Sequence, residues 1–395
     1  MNKISKMKRI YILSFLFTLH ISISAYISST FLTQFISEKY IGILYTLASL
    51  LTLTLLIKSS SILKNFGNRK LTLIFLIVNM ISLVGLITSL NPFIIGISFI
   101  LFTVTNTLVL FCIDIFIEHF GDPESVGKTR GLYLTITNIA WMLSPLVAVF
   151  LINREGGYQA IYTLAFIMAM LMTIGLTFSV RKFEDKTYTR TPFLETYKTL
   201  KTNPHMFAIV MINFILQFFF AWMIVYTPIY LHNHLNFNWN QIGVIFTIML
   251  APFVILGLPI GVLIDKYHTN KRTLLTIGFL IIISFTFLIS FITTRSIAIW
   301  AFILFMTRVG ASIIETTSDT YFFTHIKEEE AYLLGVYRDM NPVAFIISPM
   351  IATLVFLAFP YKYLFVILSI ILTTGFIYIS KLKHNHAPTL PNTNQ

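Results

Sequence analysis

The sequence predicts an all-α integral membrane fold of twelve transmembrane helices in two pseudo-symmetric six-helix bundles, with both termini in the cytoplasm. Three observations predict it: the apolar composition, the distribution of basic residues and an internal repeat. The 395-residue chain is 56% hydrophobic and 11% charged, and its mean hydropathy is +0.81. An ordinary soluble domain is about 45–50% hydrophobic and about 25% charged. Because water could not cover so much apolar surface, the composition excludes a soluble enzyme and a disordered chain.

Apolar windows between charged interruptions define the spans, each near the length of about 20 residues that a bilayer core requires. The first window is too long for a signal peptide and has no small-residue cleavage site after it. We expect spans at 10–31, 40–57, 71–90, 92–117, 131–152, 158–180, 206–231, 240–264, 273–293, 296–325, 332–358 and 361–380.

Basic residues are concentrated in the loops on one side of the predicted membrane. The N-terminal tail and every second loop carry 22 lysines and arginines, whereas the intervening loops carry 4 if Lys362, at the very start of the last span, is counted with them. Cytoplasmic loops are enriched in these residues, so we expect both termini in the cytoplasm and the protein in the cell's plasma membrane. The net charge of +12 is therefore a signal of topology, and it leaves no basic patch for nucleic acid.

The longest loop divides the chain into two halves. In it, Thr191 and Pro192 fit the start of a short interfacial helix, and a solvated linker is the alternative. The expected units are a first bundle at 1–180, a linker at 181–205, a second bundle at 206–383 and a polar, disordered tail at 384–395.

The two halves repeat each other at an offset that drifts by only three residues, from 201 to 204. An even number of spans in each half makes them parallel repeats, related by an axis along the membrane normal. The matched residues are Ile41-Gly42 with Ile242-Gly243, Asn68-Arg69-Lys70 with Asn270-Lys271-Arg272, and Gly131, Tyr133, Ser144 and Pro145 with Gly335, Tyr337, Ser348 and Pro349.

The loop after the eighth span carries a glycine, an acid and a group of basic residues, which are Gly261, Asp265, Lys266, Lys271 and Arg272. The loop after the second span keeps part of the same pattern, namely Gly67, Arg69 and Lys70, but has Ser60 and Lys64 at the glycine and acid positions. With the span count and the repeat, this pattern resembles the loop signature of the major facilitator superfamily. The resemblance implies a secondary transporter that moves a small molecule by alternating access, as a monomer.

In that family the loop signature acts as a latch that holds the cytoplasmic side closed. Gly261 would let neighbouring helices approach, and Asp265 would pair with a basic residue or a helix N-terminus. The alternative for the basic residues is ordinary enrichment on the cytoplasmic side. The fourth span has no arginine or lysine, and the fifth lacks a Gly-Pro stretch, so the patterns of the family's drug antiporters are weak here.

The tenth predicted span concentrates polar residues on one stripe. At about 100° per residue, Arg308, Ser312, Glu315 and Asp319 fall within about 60°. A charge at mid-bilayer costs about 2.5–3.5 kcal/mol, so this stripe must face a partner or a cavity rather than lipid. Arg308 lies about 18 Å from the outer end of the span, near the midplane. We expect Arg308 to bind substrate.

The carboxylates of the stripe are candidates for proton coupling. A carboxyl that alternately has and lacks a basic partner can take up and release a proton. Asp319 and Arg338 lie at matching depth, about 9 Å, on antiparallel helices and should pair. Asp339 is a further proton or gate candidate, and Pro342 should break or kink its helix. The alternative is a static ion-pair network that locks the tenth and eleventh spans together.

Further polar residues lie near the midplane of spans that line the central cavity in this family. His20 stands about 15 Å deep in the first span and Gln217 about 17 Å deep in the seventh. His20 is either a ligand or proton carrier, or a satisfied packing residue. The other candidates for the cavity lining are Tyr26, Asn138, Trp141, Asn213 and Trp222. In the first half, Asp114 and Glu118 with Arg130 are expected to form a structural pairing.

No motif for another activity is present in the sequence. The nine histidines are scattered and Cys112 is the single cysteine, so neither a metal site nor an intrachain disulfide is expected. There is no Walker loop for ATP, no catalytic constellation and no cofactor signature. The function predicted is therefore a proton-coupled secondary transporter rather than an enzyme. The alternatives are a multidrug or metabolite exporter on the same fold, and a membrane receptor or scaffold without transport activity.

Overall fold

The computed structural model describes residues 3–120, 126–154, 156–180, 183, 200–265, 269–325 and 333–382, and these are helical almost throughout. The helices of the first half are α1 (Lys3–Ala25), α2 (Ser28–Thr33), α3 (Glu38–Ile57), α4 (Ser59–Phe66), α5 (Asn68–Thr88), α6 (Pro92–Phe120), α7 (Val126–Ile152) and α8 (Gly157–Ser179). Those of the second half are α9 (Pro204–Ile229), followed by a π-helical turn (Tyr230–His234), α10 (Trp239–Ile255), α11 (Gly257–Asp265), α12 (Lys271–Ile289), α13 (Ile297–His325), α14 (Leu333–Ala358), α15 (Tyr363–Thr373) and α16 (Gly375–Ile379).

Ten helical segments of the described chain are long and apolar enough to cross a membrane. The all-helical membrane class predicted from composition is therefore confirmed. The first predicted span corresponds to α1 and α2, which are separated by a turn at Tyr26 and Ile27. The last predicted span corresponds to the shorter apolar stretch Tyr363–Ile379. Residues 184–199 of the linker predicted at 181–205, where the interfacial helix is expected, and the whole tail predicted at 384–395 lie outside the described residues.

In each half, an arginine at the start of one helix donates hydrogen bonds to carbonyl groups at the end of another helix. Arg69, at the start of α5, donates to the carbonyl of Thr177 near the end of α8 over 3.5 Å. Arg272, near the start of α12, donates to Ser380 O over 2.7 Å and to Leu382 O. A cation there satisfies carbonyls that a helix end leaves without partners and opposes its partial negative charge. Both arginines therefore stabilise their own half of the molecule.

The two halves meet where α3 packs on α14 and where α7 packs on α10. A glycine lies at each contact. A Cβ on Gly42 would stand 2.7 Å from Tyr226 Oη and 2.8 Å from Pro349 O, and a Cβ on Gly243 would collide with Val149 and stand 3.4 Å from Pro145 O. The glycine of each half thus faces the proline-containing helix of the other. We call these contacts the glycine crossings.

The glycine crossings lie at one end of the bundle. Helix α1 starts at the end of the bundle where α16 ends, so α3 and α10 start at the other end. Gly42 and Gly243 stand within the first two turns of these helices. We call the end where α1 starts the terminal end and the other the opposite end. At the opposite-end crossing of α7, Ser144 Oγ donates over 2.8 Å to the Trp141 carbonyl that Pro145 leaves without its helical partner.

Candidate functional site

The polar stripe of α13 lies inside the protein. Arg308 is 1% exposed and Ser312 is 2% exposed, while Glu315 and Asp319 are half-buried. None of the four faces outward, which agrees with the cost of placing such groups in lipid.

Arg308 bridges the halves. Its guanidinium carbon lies 4.9 Å from the ring centre of Phe219 and 5.5 Å from that of Phe220, both on α9. The hydroxyl of Tyr26, from the first half, is its hydrogen-bond partner, and Glu315 attracts it electrostatically. Within the described residues, Nε and Nη1 of Arg308 are buried without a hydrogen-bond acceptor. A buried cation thus stands between the halves beside a neutral hydroxyl.

Asp319 and Arg338 do not pair, so this prediction is wrong. The Tyr337 hydroxyl donates to Asp319 Oδ1 over 2.7 Å. Arg338 Nη1 instead lies 3.0 Å from Oδ2 of Asp114, on α6 of the first half. Successive helical residues point about 100° apart, so Tyr337 faces α13 while Arg338 points toward the other half.

The Arg338–Asp114 ion pair gives Asp114 a partner in the second half that the sequence did not predict. It connects the start of α14 to the last turns of α6, so it joins the halves at the terminal end. Both side chains are partly exposed, which limits its contribution to about 0–1 kcal/mol. Glu118 is exposed and Asp339 is half-buried. The side chain of Arg130 lies outside the described part of the chain, so its pairing in the first half stays a prediction.

A row of amides connects α9 to α14. Asn213 Nδ2 donates to Tyr337 O over 2.8 Å, Gln217 Nε2 to Asn213 Oδ1 over 3.3 Å, and Asn341 Nδ2 to Gln217 Oε1 over 2.7 Å. The row adjoins Pro342, through which α14 continues, so the predicted break of the helix does not occur. Asn341 is exposed, and the amide row therefore borders accessible space between these helices.

His20 lies away from the interface between the halves. It is fully buried, with Nδ1 2.8 Å from Ala165 O and Nε2 3.1 Å from Asn106 Oδ1. Asn79 Nδ2 also contacts Asn106 Oδ1, over 2.8 Å. These partners all belong to the first half. The geometry therefore favours the satisfied packing residue over the ligand.

The aromatic candidates divide into two groups. Tyr26 packs against Trp141 and Phe246, with ring centres 6.1 and 5.0 Å away, and so brings α7 and α10 together beside Arg308. Trp222 is fully buried between Phe218 and Tyr226 on its own helix and does not line accessible space. Asn138 is half-buried on α7.

The loop signature is only partly organised as the family resemblance implies. A Cβ on Gly261 would meet no atom within 4 Å, so the expected close approach of helices is absent there. Lys271 Nζ donates to Thr324 Oγ1 over 3.1 Å and lies 5.7 Å from the Tyr321 ring.

The remaining residues of the signature take structural positions at helix ends. Gly67, between α4 and α5, has φ 73°, a conformation that favours glycine. Lys70 is exposed, and Asp265 is the last residue of α11. Lys266 lies outside the described residues. The latch at Asp265 stays a prediction.

Sequence reasoning missed a polar contact between the halves at the opposite end. Glu38 Oε1 accepts from Asn233 Nδ2 over 2.7 Å, and Glu38 Oε2 lies 3.0 Å from His234 Nε2. The π-helical turn adds a residue to the helix and turns both side chains toward Glu38, and such turns occur at functional sites. Hydropathy carries no signal for a π-helical turn. We call this contact the Glu38 strap.

Comparisons with known proteins place these features in a family. No curated protein matches the sequence. The solved structure of the nucleoside transporter NupG is similar over 96% of this chain and 99% of its own, at 12% identity and a TM-score of 0.77. The structure of the human organic anion transporter MFSD10 (TETRAN) is similar over 96% of this chain and 100% of its own, at 11% identity and a TM-score of 0.67. At these identities the likeness shows the fold alone. The family model of the Major Facilitator Superfamily matches residues 10–338, so this membrane transporter belongs to that superfamily.

Proposed function

We propose that this chain is a secondary active transporter that moves a small solute across the plasma membrane by alternating access, coupled to protons. In this proposal it spans the membrane twelve times, with α1–α2 as the first span and α15–α16 as the last. The excess of basic residues in the loops at the terminal end supports a cytoplasmic position for that end.

One observation carries the proposal. Arg308, Glu315 and Asp319 are charged side chains inside the membrane-spanning part, and Arg308 contacts the half opposite its own through Tyr26. A receptor or scaffold that had lost transport would not require such costly groups between its halves. The central position between two parallel repeats is where transporters of this architecture bind their substrates.

The described contacts support a state closed at the opposite end. The glycine crossings and the Glu38 strap all join the halves there. At the terminal end, Arg338–Asp114 is a partly exposed ion pair, and deeper in the bundle Asn341 of the amide row is exposed. The proposed cycle therefore alternates this state with one in which the opposite-end contacts separate.

Glu315 is the proposed proton carrier. It lies between Arg308 and Asp319 on the stripe and interacts electrostatically with both. Asp319 accepts a hydrogen bond from Tyr337, which holds it in place. Because Arg308 attracts the ionised form of Glu315, a substrate that competes for Arg308 would favour protonation of Glu315. Binding of substrate and of a proton are then linked.

The test uses the full chain in proteoliposomes with a pH-sensitive dye inside. A solute screen with and without a pH gradient identifies substrates by proton flux. Glu315→Gln mimics the protonated carboxyl, so it should abolish accumulation driven by the gradient while exchange between equal pools continues. The control is Glu118→Gln, which changes an exposed carboxyl of α6 and should leave accumulation unchanged.

Two outcomes contradict the proposal. Concentrative uptake that persists in both Glu315→Gln and Asp319→Asn removes these carboxyls as the carrier and leaves Asp339 as the next candidate. A stripe that serves only as a static ion-pair network predicts instead that Glu315→Gln lowers thermal stability without separating accumulation from exchange. A screen in both directions also distinguishes uptake from the export of drugs or metabolites.

A further inference from the structure

Arg308 is a buried cation that lacks a charged partner within the described residues. The ion pairs there join His234 to Glu38 and Arg338 to Asp114, and neither involves Arg308. Its Nε and Nη1 are buried with no acceptor. A buried charge is costly unless it is paired and hydrogen-bonded, because the protein interior cannot replace water. Arg308 is therefore a candidate binding group for an anion.

Glu315 does not supply that anion. It is seven residues away on the same helix, about 10.5 Å along the axis. Its charge attracts Arg308, but within the described residues no ion pair or hydrogen bond joins the two side chains. The Tyr26 hydroxyl accepts one but carries no charge. A carboxylate at Arg308 would provide both the charge and acceptors for the planar guanidinium.

The side chains around Arg308 indicate which chemical groups the rest of the ligand carries. Phe219 and Phe220 lie against the guanidinium, and Tyr26 brings Trp141 and Phe246 close by. Sites of this kind bind the apolar part of a ligand on aromatic surfaces and its charge on one polar group. A single arginine near two carboxylates matches one negative charge, since a second would be left without a partner beside Glu315.

We propose that the substrate is an organic anion with one carboxylate and an aromatic body, and that its carboxylate binds Arg308. The inference rests on the proposed transport function, because it names the substrate class of the same central site. A cation bound by Glu315 and Asp319 is the competing arrangement. In that case Arg308 would serve only to hold the stripe together.

The experiment compares three ligands of one shape on the purified full-length protein in detergent. Phenylacetate, phenylacetamide and phenethylamine differ mainly in the charge of one group. We expect phenylacetate to raise the melting temperature and to bind in an equilibrium assay with radiolabelled ligand, and the amide and amine to bind at least about tenfold more weakly, since a buried charged pair is lost.

Variants test whether Arg308 is the group responsible. Arg308→Gln should abolish phenylacetate binding, and Arg308→Lys should keep weaker binding because it retains charge but loses the planar fork. Arg295→Gln, at an exposed arginine outside the helices, is the matched control and should bind as the natural chain does. If Arg308→Gln does not fold, the three-ligand series and Arg308→Lys still decide the question.

Several results would overturn the inference. One is binding of phenethylamine that Glu315→Gln removes, which indicates a cation site. Others are equal binding of the amide and the acid, undiminished binding by Arg308→Gln, and no binding of phenylacetate at millimolar concentration. Because binding is measured without transport, Arg308-dependent binding with no proton flux in proteoliposomes would support the site and contradict the proposed function.

Discussion

Two buried polar side chains, His20 and Arg308, show how a residue's partners separate structural from functional roles. Both ring nitrogens of His20 contact oxygens within the first half. Two nitrogens of Arg308 have no acceptor within the described residues. A side chain whose hydrogen bonds are complete stabilises the fold, whereas an incomplete set inside the protein needs an explanation, and for Arg308 we propose a ligand.

The first prediction concerns His20. His20→Ala leaves a cavity and removes a buried hydrogen bond, so the free energy of unfolding should fall by about 2–4 kcal/mol. Thermal unfolding in detergent measures the loss. The Michaelis constant for substrate should stay unchanged, because the hydrogen bonds of His20 lie within the first half.

Gln217→Ala is the contrasting variant for that prediction. Gln217 belongs to the amide row, so its loss should weaken substrate binding and lower stability by only about 1 kcal/mol. A His20→Ala protein of full stability with a raised Michaelis constant would return His20 to the candidates for ligand binding.

At the level of helices, the glycine crossings decide how closely the halves can approach. Gly42 and Gly243 are repeats of each other, and each faces the helix that contains a repeated proline. The same contact between a glycine and a proline-containing helix therefore occurs twice across the interface, between α3 and α14 and between α10 and α7. Any larger side chain on these glycines must displace backbone or a packed neighbour, which costs more than moving a flexible chain end.

A second prediction follows for Gly42→Ala. The added methyl group overpacks the crossing and should destabilise the closed state by about 1–3 kcal/mol. The equilibrium between the closed state and the state separated at the opposite end should then shift toward separation by about 5–150-fold. Ile27 lines a small void with Pro145 and Gly243, so a thiol introduced by Ile27→Cys reports this opening. Its labelling by a membrane-impermeant maleimide should rise. The natural Cys112 is buried and is expected to stay unreactive.

Gly96→Ala is the control for the glycine crossing. A Cβ on Gly96 would stand 3.5 Å from Leu44 Cδ2, an ordinary contact inside the first half. In the Ile27→Cys background, this control should leave the labelling unchanged. Equal labelling with and without Gly42→Ala in that background would mean that the crossing does not control opening.

Across the whole molecule, contacts between the halves differ at the two ends. Each end has an ion pair between partly exposed groups, the Glu38 strap at the opposite end and Arg338–Asp114 at the terminal end, but among the described residues the tight glycine crossings lie at the opposite end. Salt and water weaken exposed pairs, while close packing is insensitive to both. This difference favours the state that is closed at the opposite end.

A third prediction tests the Glu38 strap. Glu38→Gln removes the charge that accepts from Asn233 and His234, so the closed state should lose about 1 kcal/mol, or about fivefold in population. In the Ile27→Cys background, maleimide labelling should increase by that factor. Lys39→Gln, at the exposed neighbouring residue, should have no effect. Labelling that responds equally to both variants would attribute the change to surface charge in general.

Much of the fold could be predicted because its signals are local. Apolar length, basic loops and a repeat at 201 to 204 residues are read along the chain, and they led to the helical membrane class and to the family. The stripe of α13 was also predictable, since helical spacing alone puts Arg308, Glu315 and Asp319 on one face. The twelve-span count and the cytoplasmic termini rest on the same local signals and remain predictions.

The sequence by itself therefore determined the helical membrane class and which face of α13 is polar. Only the tertiary structure decided which residues meet. Arg338 pairs with Asp114 rather than Asp319, His20 is enclosed in the first half, and Glu38 reaches His234 through a π-helical turn. The physical reason is that depth follows from counting residues, whereas partners depend on helix rotation. A rotation of about 100°, one residue, replaces Arg338 with Tyr337 at Asp319.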